Sequence, residues 1–200
     1  AHFLTAAEVA TLRAAEDATL EYTLSDAKAA AAFAAALRKI ILCVSDPTPQ
    51  RYALTRVEDV LLAEDCGDLQ SRAAHFLRPP SGDADGAESA AGASRELDCE
   101  PFLRAMATGD AFCQRAASAA LATLLAVFDG SNRAPCAGPL EPFVQWLCDQ
   151  LAASRGGAAP AARAAVPALT ILLRREDARE QRPLQRAPAG KPAATPAVPG

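Results

Sequence analysis

Glu100-Pro101-Phe102-Leu103 and Glu141-Pro142-Phe143-Val144 are two copies of one phrase, 41 residues apart. Each opens an amphipathic stretch, and each is followed by a Leu- and Ala-rich run. The first run reads Ala120-Leu121-Ala122-Thr123-Leu124-Leu125 and the second Ala168-Leu169-Thr170-Ile171-Leu172-Leu173. These second halves are 48 residues apart, so the copies differ by a loop insertion. A period of about 40–47 residues built from two or three helices is that of HEAT and armadillo arrays. One such helix set cannot bury its own apolar face and has to stack on a neighbour. The repeat therefore predicts an all-α, HEAT/armadillo-like right-handed helical solenoid, whose surface binds other proteins.

Helix signals extend in both directions from this pair. Thr5 and Glu8 form a capping box before Val9 and Leu12. Residues 17–25 read equally as loop or helix. Ser25 or Asp26 caps a second helix, in which Phe33, Leu37, Ile40, Ile41 and Val44 make one wide stripe. Arg38 and Lys39 stand near its end, where the dipole favours cations. Asp46-Pro47 stops that helix and starts a third, running to about Ala63 with Tyr52, Leu54, Val57 and Leu61 inward. Glu58 and Asp59 are expected to face water. A short helix from Leu69 to Leu77 follows Gly67-Asp68.

The pattern dissolves between Arg78 and about Leu97, a stretch predicted to be a mobile loop. Beyond it Asp98 is expected to cap a helix with Phe102, Leu103 and Met106 inside. Asp110 to Phe128 carries Leu121, Leu124, Leu125 and Phe128. The next helix has Leu140, Phe143, Val144, Leu147 and Leu151 on one face. Gly156-Gly157 breaks it. The last runs from about Pro160 to Arg175, with Pro167 inside as a kink. Residues 1–180 thus form one helical repeat domain, and 181–200 a Pro/Ala-rich disordered tail. No alternating β-branched run predicts a strand.

Composition narrows the function classes. The net charge of −4 is small, which argues against a nucleic-acid binder. The dispersed Arg182, Arg186 and Lys191 are too few for strong phosphate binding. Cys43, Cys66, Cys99, Cys113, Cys136 and Cys148 contain no CxxC pair and lie near no histidine, so neither zinc nor a redox pair is indicated. They read as reduced core cysteines of a cytosolic protein. The longest uncharged apolar run, Ala116–Phe128, has 13 residues, short of a membrane span, and there is no signal peptide.

No Walker A, GxGxxG, HExxH or GxSxG motif is present. The histidines are His2 and His75, and the sequence places no nucleophile beside His75. Asp83, Asp85 and Gly86 fit three positions of a calcium loop, but Gly92 stands where a bidentate Glu is needed. Glu58-Asp59 and Glu64-Asp65 are adjacent pairs, which do not share one helix face. Trp146 is a residue type favoured at binding hot spots, although its spacing from Phe143 also suits the core. Catalytic, cofactor and metal sites are therefore expected to be absent.

Gln50-Arg51-Tyr52-Ala53-Leu54-Thr55-Arg56-Val57-Glu58-Asp59-Val60-Leu61 resembles a signature of the V-type proton ATPase H subunit, with Arg51 as a one-residue insertion. Leu4-Thr5-Ala6-Ala7-Glu8 through Arg13 is similar to that family's first capped helix. Pro101-Phe102-Leu103 through Leu125, Phe143 to Ser154 and Ala164 to Arg174 also line up with family helices. The resemblance covers about residues 3–180. The loop from Arg78 to Glu96 is longer than in the family, and the family's C-terminal domain does not follow. The chain thus looks like an N-terminal half or a shortened form.

The resemblance implies a non-catalytic regulatory subunit of a vacuolar-type rotary proton-transporting ATPase, on the cytoplasmic face of vacuolar and other endomembranes. Its partners would be other pump subunits, especially the peripheral stalk of paired long helices. No nucleic acid and no direct membrane insertion are implied. The alternatives are a HEAT or armadillo adaptor with another partner, such as a trafficking protein, and a small all-α enzyme using His75 or a cysteine.

Overall fold

Local sequence fixes the helix ends. The computed structural model describes residues 3–78, 96–128, 137–155 and 159–181. Helix α1 is Ala6–Asp17, and its capping box is complete: the Thr5 hydroxyl accepts from the Glu8 amide, and Glu8 accepts from the Thr5 amide. The ambiguous stretch resolves into a break at Ala18 and a short helix α2, Leu20–Ser25, capped by Thr19. Asp26 caps α3, Ala27–Cys43, accepting from the Lys28 and Ala29 amides. Asp46 caps α4, Pro47–Leu62, with Pro47 in the first turn where its missing N–H costs nothing. A 3₁₀ turn, Glu64–Cys66, leads through Gly67 at φ +89° to α5, Leu69–Ala74, capped by Asp68.

The later elements are α6, Glu100–Met106; α7, Ala111–Phe128; α8, Ala137–Arg155; and α9, Ala159–Gln181. Five details differ from the sequence reading. The short fifth helix ends at Ala74, because Leu77–Arg78 pairs antiparallel with Glu96–Leu97 in a two-residue ladder. Asp98 does not cap α6; Cys99 occupies that position, and Asp98 instead lies 3.8 Å from Arg38. Helix α8 starts four residues before Glu141, and α9 continues past Arg175 with Pro167 inside it. Arg38 is a buried group rather than a dipole-facing surface charge. The expected loop falls outside the described residues except at its ends, and residues 182–200 lie outside them altogether.

The fold is all-α apart from that ladder. Helix α6 packs on α3 and, over a short stretch, on α8, and helix α7 packs on α4, α5 and α9. The contacts α3–α6–α8 and α4–α7–α9 make two rows, joined by α3–α4, α6–α7 and α8–α9, while α1 and α2 pack on α3. One continuous apolar core runs through the rows, with Phe33, Phe76, Phe102 and Phe143 among its largest fully buried side chains. The repeat phrases sit at matching depth: Phe102 and Phe143 are both fully buried, as are Met106 and Leu147 four residues on.

Polar side chains tie the helix ends across this core. Gln50 donates to the Ile41 and Val44 carbonyls at 3.2 and 2.6 Å, which closes the end of α3 from the start of α4. Buried Arg72 donates to Leu61 O and Ala63 O at the end of α4 and to Gly67 O after the 3₁₀ turn, tying this corner together; Ala63 O also accepts from the Cys66 amide. Arg38 donates to Phe76 O at 3.2 Å and lies 3.8 Å from Asp98, so it ties both strands of the small ladder to α3 at their Leu77–Leu97 end.

Candidate interaction surface

The described residues bring together no catalytic constellation. His75 ends α5, half-buried. Cys99 and Cys113 are buried, Cys43 and Cys148 are exposed and Cys66 is intermediate; Cys136 lies outside the described residues. Burial, followed by the neighbouring Asp110 carboxylate, pushes the Cys113 thiol up to about 12. That is the reverse of the low-pKa thiolate a nucleophile needs. No group of three or more His, Cys, Asp or Glu among the described residues could hold a metal. Asp83, Asp85, Gly86 and Gly92 are outside them, as is His2.

Glu64 and Asp65 are exposed on the 3₁₀ turn. Glu58 and Asp59 are only half-exposed, because Arg56 reaches Asp59 at 3.2 Å and donates to Ala15 O of α1. Trp146 is partly buried against the core rather than projecting from it.

The charged groups work as ties between helices. Asp110 accepts from the Cys113 amide at 2.9 Å and forms a two-pronged pair with Arg51, joining the starts of α4 and α7. Arg51 and then the Cys113 amide hold the Asp110 carboxyl well below its usual range. Lys39 of α3 bonds both Glu8 oxygens at 2.9 Å; Glu8 is lowered by the Thr5 amide first and Lys39 second. Asp68 is lowered by the Ser71 amide it caps.

What remains for recognition is apolar surface. One face of α1, made of Ala6, Val9, Ala10, Arg13, Ala14 and Asp17 with Leu4 before it, lines a shallow, open depression. At the other end of the chain, Val144 and Leu151 of α8 are 45% and 37% exposed, although their spacing from Phe143 suggested an inward face. Val166 and Leu173 of α9 are 51% and 59% exposed. Helix α7 is, by length and composition, long and apolar enough to cross a membrane, a wider span than its uncharged run suggested. Most of its apolar residues are buried against α4, α6 and α9. No protein-family model, curated protein or solved structure matches the chain.

Proposed function

We propose that this chain is a short HEAT/armadillo-like solenoid acting as a non-catalytic regulatory subunit of a vacuolar-type rotary proton pump, where it holds the paired-helix peripheral stalk. The observation that carries the solenoid reading is the packing order: α6 and α7 each touch the helix before and the helix after in their own row, as stacked repeats do. The equal burial of Phe102 and Phe143 supports two structural copies of one unit. The choice of partner comes from the resemblance of residues 50–61 to the H subunit of such pumps. The exposed face of α1 has suitable chemistry, since Leu4, Val9 and alanines beside Arg13 and Asp17 suit the apolar stripe of an amphipathic helix laid along it.

A titration of the chain with peptides of the two stalk helices tests this. Saturable binding below about 100 µM is expected, weakened by Val9→Asp. Absence of binding at that concentration sinks the pump assignment. Binding of unrelated amphipathic helices with equal strength favours a general adaptor instead.

A further inference from the structure

Ser45-Asp46-Pro47-Thr48-Pro49-Gln50-Arg51 holds a threonine followed at once by proline and, three residues on, by a base. The chain has one other serine or threonine followed by proline, Thr195-Pro196, and no base stands three residues beyond it. Thr48 is exposed. Its hydroxyl is the one among the described threonines that makes no hydrogen bond; the others bond a capping partner or a carbonyl of their own helix. The reason is its place in the first turn of α4, where no helical carbonyl lies four residues back.

An enzyme that modifies Thr48 has to open this turn and hold the segment extended. Two features suit the turn to opening. Thr48 precedes a proline and is β-branched, and both disfavour helical backbone at its position. Pro47 and Pro49 have no N–H, so of residues 47–49 only Thr48 has an amide that loses a partner, the Asp46 carboxylate at 2.9 Å.

We propose that Thr48 is the phosphoryl acceptor of a proline-directed protein kinase, and that its phosphate draws Arg51 away from Asp110. The Thr48 hydroxyl oxygen bonds to the γ-phosphorus of a nucleoside triphosphate as the bond from that phosphorus to the β-phosphate oxygen breaks. The nucleoside diphosphate leaves, and the hydroxyl proton passes to a carboxylate of the kinase. Pro49 suits an apolar pocket, because it leaves no N–H unpaired there. Arg51, whose side chain is 54% exposed, offers the cation that an acidic kinase site takes. With the turn closed again, Thr48 and Arg51 stand at i and i+3 of one helix, near enough to meet. The phosphate brings a charge of about −1.5 to −2 and three acceptor oxygens, more than the Asp110 carboxylate offers the same guanidinium. It also lies in the first turn of α4, where the helix dipole favours negative charge. Asp110 keeps the Cys113 amide at 2.9 Å, so the start of α7 holds while its tie to α4 is released.

The site is independent of the stalk partner, so the peptide titration can fail without it. Incubating the whole chain with a cyclin-dependent kinase and ATP, and locating phosphate by peptide mass spectrometry, tests the acceptor. Phosphate is expected on Thr48, kept in Thr48→Ser and lost in Thr48→Ala. Arg51→Ala should lower kcat/KM for this residue about tenfold or more, because the kinase loses its charge partner. Absence of phosphate on Thr48, or incorporation indifferent to Arg51→Ala, overturns the proposal. Phosphorus NMR then tests the competition for Arg51. The phosphate signal should titrate at lower pH in the otherwise unchanged chain than in Arg51→Ala, since a guanidinium beside it favours the dianion. Asp46 and Asp110 are present in both chains, so the difference reports Arg51 alone. Equal midpoints leave Arg51 with Asp110 and overturn the release of α7 from α4.

Discussion

Phe143 and Phe102 occupy the same place in two copies of one unit, so replacing each by alanine should have the same local cost and different consequences. Both side chains are fully buried. Truncating a buried Phe to Ala costs about 3–5 kcal/mol in lost transfer energy and cavity formation. With an unfolding slope of about 2 kcal/mol/M in urea, that lowers a midpoint by about 1.5–2.5 M. Phe143 lies in α8, which packs on α9 and only briefly on α6. Phe102 lies in α6, between α3, α7 and α8. In a stack held by nearest-neighbour contacts, Phe143→Ala should loosen the α8–α9 unit ahead of the rest, whereas Phe102→Ala should weaken the whole chain.

The chain supplies its own reporter. Trp146 is its one tryptophan, three residues from Phe143 and partly buried against the core. Urea titrations followed by Trp146 fluorescence and by far-UV circular dichroism should coincide for the unchanged chain and for Phe102→Ala. For Phe143→Ala the fluorescence transition should precede the other by about 1 M or more. If Phe143→Ala shifts both probes together, the units do not behave as stacked repeats, and the solenoid reading loses its energetic basis. Phe143→Leu gives a milder form of the same comparison.

Arg72→Met keeps much of the buried stem but removes the guanidinium donors from the Leu61, Ala63 and Gly67 carbonyls, of which Ala63 O keeps the Cys66 amide; a loss of about 2–4 kcal/mol is expected from urea unfolding, and a change below about 0.5 kcal/mol would show that water replaces the guanidinium. Asp110 and Glu8 have carboxyls depressed below their ordinary 3.8 and 4.5, so they bind protons less readily folded than unfolded. Their stabilisation is fully present above those ordinary values and is lost as pH falls through the folded ones. The urea midpoint should hold from pH 7 to about 5 and fall below about 4.5, and less steeply in Asp110→Asn, which keeps the cap but not the charge; an unchanged slope in that variant would remove Asp110 from the account. Cys43 and Cys148 should react rapidly with a thiol reagent, whereas Cys99 and Cys113 should react only in denaturant; prompt labelling of Cys99 or Cys113, located by peptide mapping, would contradict the packing of α6 and α7.

Helix existence and type were legible because the signals were local. Thr5 with Glu8, Asp26 and Asp46-Pro47 each act within four residues, and all cap the helices they precede. The stripes of α3 and α7 were legible because two-sided burial leaves few polar positions. Boundaries failed where a distant partner decided them. Asp98 looks like a cap, yet Arg38 draws it away across a separation of 60 residues. Leu77 continues an apolar pattern, yet Leu97 takes it into a ladder. Arg72 and Gln50 are unremarkable in sequence, because their work is to satisfy carbonyls of another element. Val144 and Leu151 read as core for the opposite reason, and both are exposed. Periodicity shows which face is apolar, and it cannot show whether a neighbour is there to cover it.

Pro167 shows how such neighbours complete what the local rules leave open. A proline inside a helix lacks the N–H that would reach the carbonyl four residues back, here Arg163 O, and its ring pushes that turn outward. The sequence alone therefore argues for a kink or a shortened helix. Yet α9 is helical from Ala159 to Gln181. At the turn just before the proline, the next carbonyl along, Ala164 O, receives the buried Ser118 hydroxyl from α7. Ala164, Ala165 and Ala168 surround this point and are all buried, so the backbones of α7 and α9 approach closely where the helix is weakest. A small residue at 118 suits that approach. Pro167 deprives Arg163 O of its helical donor, while Ser118 reaches the neighbouring Ala164 O, so the serine marks where α7 meets α9 and does not replace the missing bond. The helix runs on through the proline at the turn where small buried residues bring it against α7.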